Sequence, residues 1–244
     1  MGVTITAIVC AYNEARYLPA CLFSLLSQTR PPDEILVVNN ASTDETASLA
    51  RAVPGVRVID EPEKGLVIAR ETARLQARGD VLVYTDADCR APIFWLERLE
   101  RRFVRAEKIV GLTGPYRFYD WDWTGRALIR LYDFAVAPPT HALIQTLKMG
   151  AILYGGNFAV RRDALARIGG FDRTIEFHGE DTNLGRRLTP VGPVEIRPDC
   201  WVWTSARRYR AMGKRQVFGL YVRNFWSEIL RHRPADVDHL DVRG

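Results

Sequence analysis

Two acidic clusters in this chain have the residue types and spacing to do chemistry. Asp86-Ala87-Asp88 sets two carboxylates one residue apart, and Glu180-Asp181 sets two in succession. A hard divalent cation such as Mg²⁺ or Mn²⁺ takes oxygen ligands and keeps waters and substrate phosphates, so one or two carboxylates on a rigid support suffice to hold it. Residues two apart in extended chain point the same way, which lets one carboxylate meet a metal while the other meets a ribose or a metal-bound water. Taken alone, the same triplet reads equally well as a solvated acidic turn before Pro92. Glu180-Asp181 opens a helical stretch with Leu184 and Leu188 on its inner face. Two readings stand there: acidic residues complementing a helix dipole, or a general base for an acceptor hydroxyl. A dipole lowers a carboxylate pKa while burial or a second acid raises it. Glu180 and Asp181 both remain open for the role.

Positive charge gathers late, in Arg161-Arg162, Arg186-Arg187, Arg207-Arg208-Tyr209-Arg210 and Lys214-Arg215, within a chain of net charge +5. Such a half attracts anions, a pyrophosphate or an anionic lipid among them. No nucleic-acid module accompanies these arginines, so nucleic acid is not an expected partner. Guanidinium forks suit phosphate oxygens, so Arg207 and Arg208 are expected to close over a pyrophosphate, against the plainer reading of a solvated basic face. His178, beside the acidic pair, is read as a neighbour rather than a third ligand, since no second histidine matches it. Cys89 follows Asp88 without a basic partner and is not read as a nucleophile. Trp121, Trp123, Tyr132 and Phe134 are candidates for stacking on a sugar or dipping into lipid, with core packing the commoner use of such rings.

Elements must hold these groups in place. Short β-branched runs alternate with helical patterns over the first third, the pattern of a parallel sheet covered by helices. Strands are expected over Thr4–Cys10, Glu34–Asn39, Val56–Ile59 and Val81–Thr85, with helices from Leu18 to Leu26 and from Gly65 to Ala77. Ser42-Thr43-Asp44-Glu45 matches a capping box and predicts a helix start there. Tyr12-Asn13-Glu14, Asn39-Asn40 and Asp86-Ala87-Asp88 then all fall beyond the carboxyl ends of strands, where open α/β sheets bind ligands. Gly111 to Tyr154 reads as an irregular acceptor-side insertion. Short helices are expected over Arg161–Ile168 and Asp181–Leu188, and an amphipathic one over Val217–Leu230.

With 244 residues, 47% of them hydrophobic, the chain has material for a substantial core. No leader or membrane-spanning run is apparent, which makes a cytoplasmic location the expectation. The four cysteines are scattered and read as reduced packing residues.

The chain resembles glycosyltransferase family 2, inverting enzymes of the GT-A fold, over nearly its whole length. Ala7-Ile8-Val9-Cys10-Ala11-Tyr12-Asn13-Glu14 is similar to the family's first strand and donor loop, and Val37 through Thr46 to its second-strand motif. Lys64-Gly65 with Ala69-Arg70, Gly155-Gly156-Asn157-Phe158 and Gly179-Glu180-Asp181 follow in the family's order. The resemblance implies a three-layer α/β/α sandwich with a mostly parallel central sheet. It implies a nucleotide-sugar half over 1–115, an acceptor half over 116–205 and a basic loop with a helix over 206–244. By it, Ala11, Tyr12, Glu14, Asn40, Lys64 and Arg70 line the nucleotide. Asp88 and Asp86 are the residues for Mg²⁺ or Mn²⁺, Asp86 contacting donor ribose or metal water, Ala87 lines the nucleotide sugar, and Asp181 is the base with Glu180 its competitor. The donor would be a UDP, GDP or dTDP sugar, and the acceptor a polysaccharide, a small molecule or a lipid-linked one.

Asn39-Asn40 departs from the family's common Asp-Asp, although an amide oxygen still accepts a uracil imide hydrogen. The Gln-x-x-Arg-Trp motif of processive members is missing; Thr204-Ser205-Ala206-Arg207-Arg208-Tyr209 stands there, implying single addition. Two rival readings remain. A sugar nucleotidyltransferase shares the sheet and metal but carries a Gly-rich triphosphate loop that is not visible. A non-catalytic peripheral membrane protein would use Val217, Leu220, Tyr221, Phe225 and Trp226 with Arg223, Arg231 and Arg233 on the inner membrane face. A dinucleotide oxidoreductase fits poorly, since Ala11-Tyr12-Asn13-Glu14-Ala15 lacks the glycines that turn requires.

Overall fold

Strands rich in valine, isoleucine and leucine form where the sequence pattern places them: β1 (Ile5–Ala11), β2 (Glu34–Asn40), β3 (Val56–Glu61) and β4 (Val81–Asp86). Later come β5 (Gly111–Thr113), β6 (Tyr116–Phe118), β7 (Asn157–Arg161), β8 (Val194–Ile196) and β9 (Val202–Thr204). The computed structural model describes residues 2–175, 179–233 and 235. Seven strands pair in the order β3-β2-β1-β4-β7-β5-β8, and β6 and β9 form a small parallel pair. All neighbours are parallel except β7, which runs against both β4 and β5.

Alternation along the strands divides the core between two helical layers. Ile5, Ala7, Val9 and Ala11 of β1 pack with Leu18, Leu22 and Leu25 of α1 (Leu18–Leu26), Ala50 of α2 (Thr46–Arg51) and Trp95, Leu99 and Phe103 of a later helix (Trp95–Arg105). Ile8 points the other way, joining Leu36, Leu82 and Phe158 against Val67 and Ala73 of α3 (Leu66–Gln76). The Trp95–Arg105 helix is α4. Each large side chain so enclosed contributes about 1.5–3 kcal/mol of transfer free energy.

Helices α5 (Trp123–Leu131) and α6 (Ala137–Thr146) are joined without a break by a π turn, Tyr132–Val136. After α7 (Arg162–Arg167) come α8 (Glu180–Leu188), α9 (Arg207–Met212) and α10 (Lys214–Arg231). Leu165 of α7 and Leu184 and Leu188 of α8 complete the second layer. Helix α10 is clamped to α8 by Glu228, which is fully buried and accepts from Asn183 Nδ2 at 3.0 Å and Arg186 Nε at 3.3 Å. The last helix thereby fixes the element that begins with Glu180-Asp181.

Three expectations change. Gly111–Thr113 is a strand inside the central sheet and not part of an insertion; its three residues are too few to show a period. Ser42 does not cap α2, which starts at Thr46. Ser42 Oγ instead accepts from Asn13 N at 3.0 Å, while Asp44 accepts from Ala15 N and Thr46 N. The segment ties two strand-end loops together, and that use of its side chains outcompetes the local cap. On α10, Val217 and Leu220 are buried in the protein; Phe218, Val222, Trp226 and Leu230 form the half-exposed apolar stripe.

Candidate active site

Beyond the carboxyl ends of β1 and β4 lies a cavity of about 500 Å³ lined by Glu14, Arg70, Asp86, Ala87, Asp88, Glu180, Asp181, Arg207 and Arg208, among others. Asp86 closes β4 and Asp88 sits in the turn after it. Ligand atoms of Asp86, Asp88 and Cys89 lie within 4.8 Å of one another. Cys89 is buried and donates to Gly156 O at 3.6 Å, and burial pushes its thiol pKa well up. The group therefore offers two carboxylates and a neutral thiol. That donor set fits a hard divalent cation held by oxygen and completed by a substrate.

Arg70 organises the other side. Its side chain is 3% exposed, with Nη1 2.9 Å from Glu180 Oε1, Nη2 donating to Gly155 O at 2.7 Å and Asp86 Oδ1 3.9 Å away. Burial opposes its charge, but Glu180 and Asp86 outweigh that and raise its pKa. Contacts separated by 110 residues thus bring α3, β4 and α8 to one point.

Gly155-Gly156 makes that convergence possible. A methyl on Gly155 would lie 3.3 Å from Glu180 Oε1 and 3.4 Å from Asp181 Oδ2, while one on Gly156 would overlap the Asp86 carboxylate. Adjacent glycines therefore leave the Asp86 carboxylate and the Glu180-Asp181 pair facing the same backbone. Gly156 N also donates to Tyr116 Oη.

Asp181 faces the cavity and is partly buried. Burial and, after it, the charge of Glu180 push its pKa up to about 7, against hydrogen bonding from Thr182 and the charge of Arg70. Loss of water overcomes the helix-dipole effect at this N-terminus. The Glu180-Asp181 pair is thereby divided: Glu180 is the ion-pair partner of Arg70, and Asp181 is the carboxyl held near neutrality.

Arg207 does not lie open over the cavity. Its guanidinium reaches Glu14 through Nη1 at 2.9 Å and Nη2 at 2.5 Å, and its Nε is 3.0 Å from Asp88 Oδ2. Tyr17 lies 5.0 Å beneath it. Burial works against this cation, and Glu14 and Asp88 more than compensate, raising its pKa. Arg208 also lines the cavity, with Nη1 3.0 Å from Tyr221 Oη.

The remaining nucleotide-binding candidates, Ala11, Tyr12, Asn40 and Lys64, sit apart from the cavity wall. Ala11 is fully buried in the core. Lys64 Nζ stacks 4.0 Å over the Tyr12 ring. Asn40 braces the loop before α3, donating to Glu63 O at 2.6 Å and accepting from Gly65 N at 2.8 Å. Its neighbour Asn39 donates to Asp60, and its buried Oδ1 has no partner among the described residues. His178 lies outside the described residues. Trp121 is core, Tyr132 lines the cavity, and Trp123 and Phe134 are exposed. No sequence signal marked Tyr116, Asp133 or Tyr154, which also line it. Asp133 is placed by the π turn, and its carboxyl, pushed up to about 6 by burial, takes the Tyr154 hydroxyl.

Relatives share this frame. The chain is 28% identical over 195 residues to the glycosyltransferase AglE of Haloferax volcanii, covering 77% of this chain and 62% of that protein. It is 25% identical over 252 residues to the probable glycosyltransferase YdaM of Bacillus subtilis, covering 91% and 58%. The chain thus spans less than two thirds of these relatives. Among solved structures, the mannosyltransferase PcManGT from Pyrobaculum calidifontis, in complex with GDP-Man and Mn²⁺, superposes with a TM-score of 0.72 at 22% identity, covering 95% of this chain and 65% of that one. S. aureus TarS 1-349 with UDP-GlcNAc gives 0.62 at 18%, covering 83% and 58%. The fold is therefore GT-A, a mostly parallel sheet between helical layers. The model of Glycosyl transferase family 2 matches residues 6–169, which carry both strand-end loops, the Asp86-Ala87-Asp88 turn and the Gly155-Gly156 corner, and the chain belongs to that family.

Proposed function

We propose that the protein transfers one sugar from a nucleoside diphosphate sugar to an acceptor oxygen by a single inverting displacement. The observation carrying this reading is one cavity that joins the Asp86 and Asp88 carboxylates to Asp181, a carboxyl held near neutral pKa. Asp181 takes the proton of the acceptor oxygen as that oxygen bonds to the anomeric carbon. The bond from that carbon to the diphosphate breaks, and the nucleoside diphosphate departs. Asp88 and Asp86 would hold a Mg²⁺ or Mn²⁺ ion, which would supply positive charge to the departing oxygens. Arg70 and Glu180 position the Asp181 side of the site. The Asn40 amide oxygen is already taken by Gly65 N.

The decisive assay incubates the chain with UDP, GDP and dTDP sugars and Mn²⁺ and follows release of nucleoside diphosphate. Pyrophosphate release from a nucleoside triphosphate and a sugar phosphate, with no diphosphate formed, would make the protein a nucleotidyltransferase instead.

Two substitutions probe the arrangement. Gly156→Ala pushes Asp86 aside and is expected to lower turnover roughly a hundredfold, as displacements of about 1 Å do; unchanged turnover would remove Asp86 from the site. Arg207 pairs with the carboxylate assigned to the ion. Arg207→Ala is therefore expected to tighten nucleotide-free Mn²⁺ binding about tenfold in calorimetry, because a competing cation is gone. Equal affinities would mean that Arg207 and the ion do not compete.

A further inference from the structure

The cavity wall is of two kinds. Asp86, Asp88, Glu180, Asp181, Arg207 and Arg208 supply charge to it, whereas Tyr132, Val136, Ile152, Phe218, Val222 and Trp226 supply apolar surface. Phe218, Val222 and Trp226 recur at four-residue spacing on α10, and each remains about 40% exposed. Val136, on the π turn, is 46% exposed. The Tyr132 and Phe218 rings meet edge-on at 6.3 Å, joining the π turn to α10. Aliphatic and aromatic side chains left facing solvent along one cavity form a ligand wall rather than the scattered exposure common on protein surfaces. The Asp133–Tyr154 pair is a polar point within it, suited to a hydroxyl.

Whatever lies on that wall shares one cavity with Asp181, so it belongs to the molecule whose oxygen is brought to that carboxyl. A free sugar or a polysaccharide could stack on the Tyr132, Phe218 and Trp226 rings but would leave Val136, Ile152 and Val222 without an apolar partner. Resting on the glycosyl-transfer reading, we infer that the apolar wall of the cavity binds the hydrocarbon chain of a lipid-linked acceptor.

The test measures binding of n-hexyl, n-octyl and n-decyl β-glucosides, below their micelle concentrations, to the full chain with Mn²⁺ and nucleoside diphosphate present. Each buried methylene strengthens binding about fourfold, so affinity is expected to rise about tenfold or more for every two carbons. Val222→Asp and Val136→Asp, at exposed positions outside the catalytic groups, are expected to flatten the series and leave nucleoside diphosphate binding unchanged. A flat wild-type series beside intact nucleotide binding overturns the chain site alone. A steep series without nucleotide binding would instead keep the chain site and overturn the glycosyl-transfer reading. With a flat series, capture on phosphatidylcholine vesicles that Val222→Asp abolishes assigns the wall to a bilayer. Also with a flat series, a dimer in sedimentation that Val222→Asp dissolves assigns it to a second copy. Both outcomes overturn the proposal.

Discussion

Asp181→Asn is expected to lower transfer roughly a thousandfold, within the range that a positioned general base contributes, while nucleoside diphosphate affinity stays unchanged. The amide keeps the shape of the carboxyl and removes its ability to take a proton. A second readout separates this role from a structural one. The pKa of Asp181 is raised in the folded protein to about 7 from an ordinary 3.8. Between those values the folded state holds a proton that the unfolded state has lost, so this group's contribution to stability is full below about 4 and vanishes as pH rises through 7. At pH 8 the wild type carries a partly buried carboxylate and the amide variant does not. Asp181→Asn is therefore expected to be the more stable protein at pH 8, with the difference shrinking as pH falls toward 4. Wild-type turnover should fall about tenfold per unit below pH 7, because the base must be unprotonated. Glu180→Gln behaves oppositely in stability, since it strips buried Arg70 of its 2.9 Å partner. Full turnover by Asp181→Asn would eliminate Asp181 as the base.

The second large effect falls at Asp88. Asp88→Ala is expected to abolish the Mn²⁺ dependence of nucleoside diphosphate binding and to lower turnover more than roughly a hundredfold, since metal stabilisation of a leaving group is worth several kcal/mol. The fold should survive, because Arg207 keeps two bonds to Glu14 when Asp88 is gone. Circular dichroism with a thermal melt checks the fold, and calorimetry with and without chelator checks the binding. Retained Mn²⁺ dependence would shift the ion to other ligands.

What could be read in the sequence depended on how local its cause was. Strands β1, β2 and β4 were legible because Val9, Val37 and Val83 sit in apolar runs whose length suits buried strands, and β3 because Val56, Val58 and Ile59 are β-branched; the expected ends were short by one or two residues at most. The three polar clusters were expected at strand ends and are found there. Strand β5 was illegible, since three residues beside Gly114-Pro115 carry no period. The Arg207–Glu14 pair spans 193 residues, and no local pattern announces it. For the same reason Arg207 was expected to be open to a diphosphate, whereas the structure pairs it with two carboxylates. Asp133 was hidden for another reason: a π turn shifts which residues share a helix face, so 3.6-residue spacing aims it wrongly. The outward stripe of α10 likewise appeared only once Val217 and Leu220 were seen to pack inward.

Central to the proposed transfer is a divalent ion at Asp86 and Asp88 that makes a nucleoside diphosphate bind. Thermal shift of the whole chain against UDP, GDP and dTDP, with Mn²⁺ and with chelator, tests it most directly. The expected result is a rise in Tm with one of the diphosphates that requires Mn²⁺ and disappears in chelator. An equal rise in chelator, or none with any diphosphate, would contradict it.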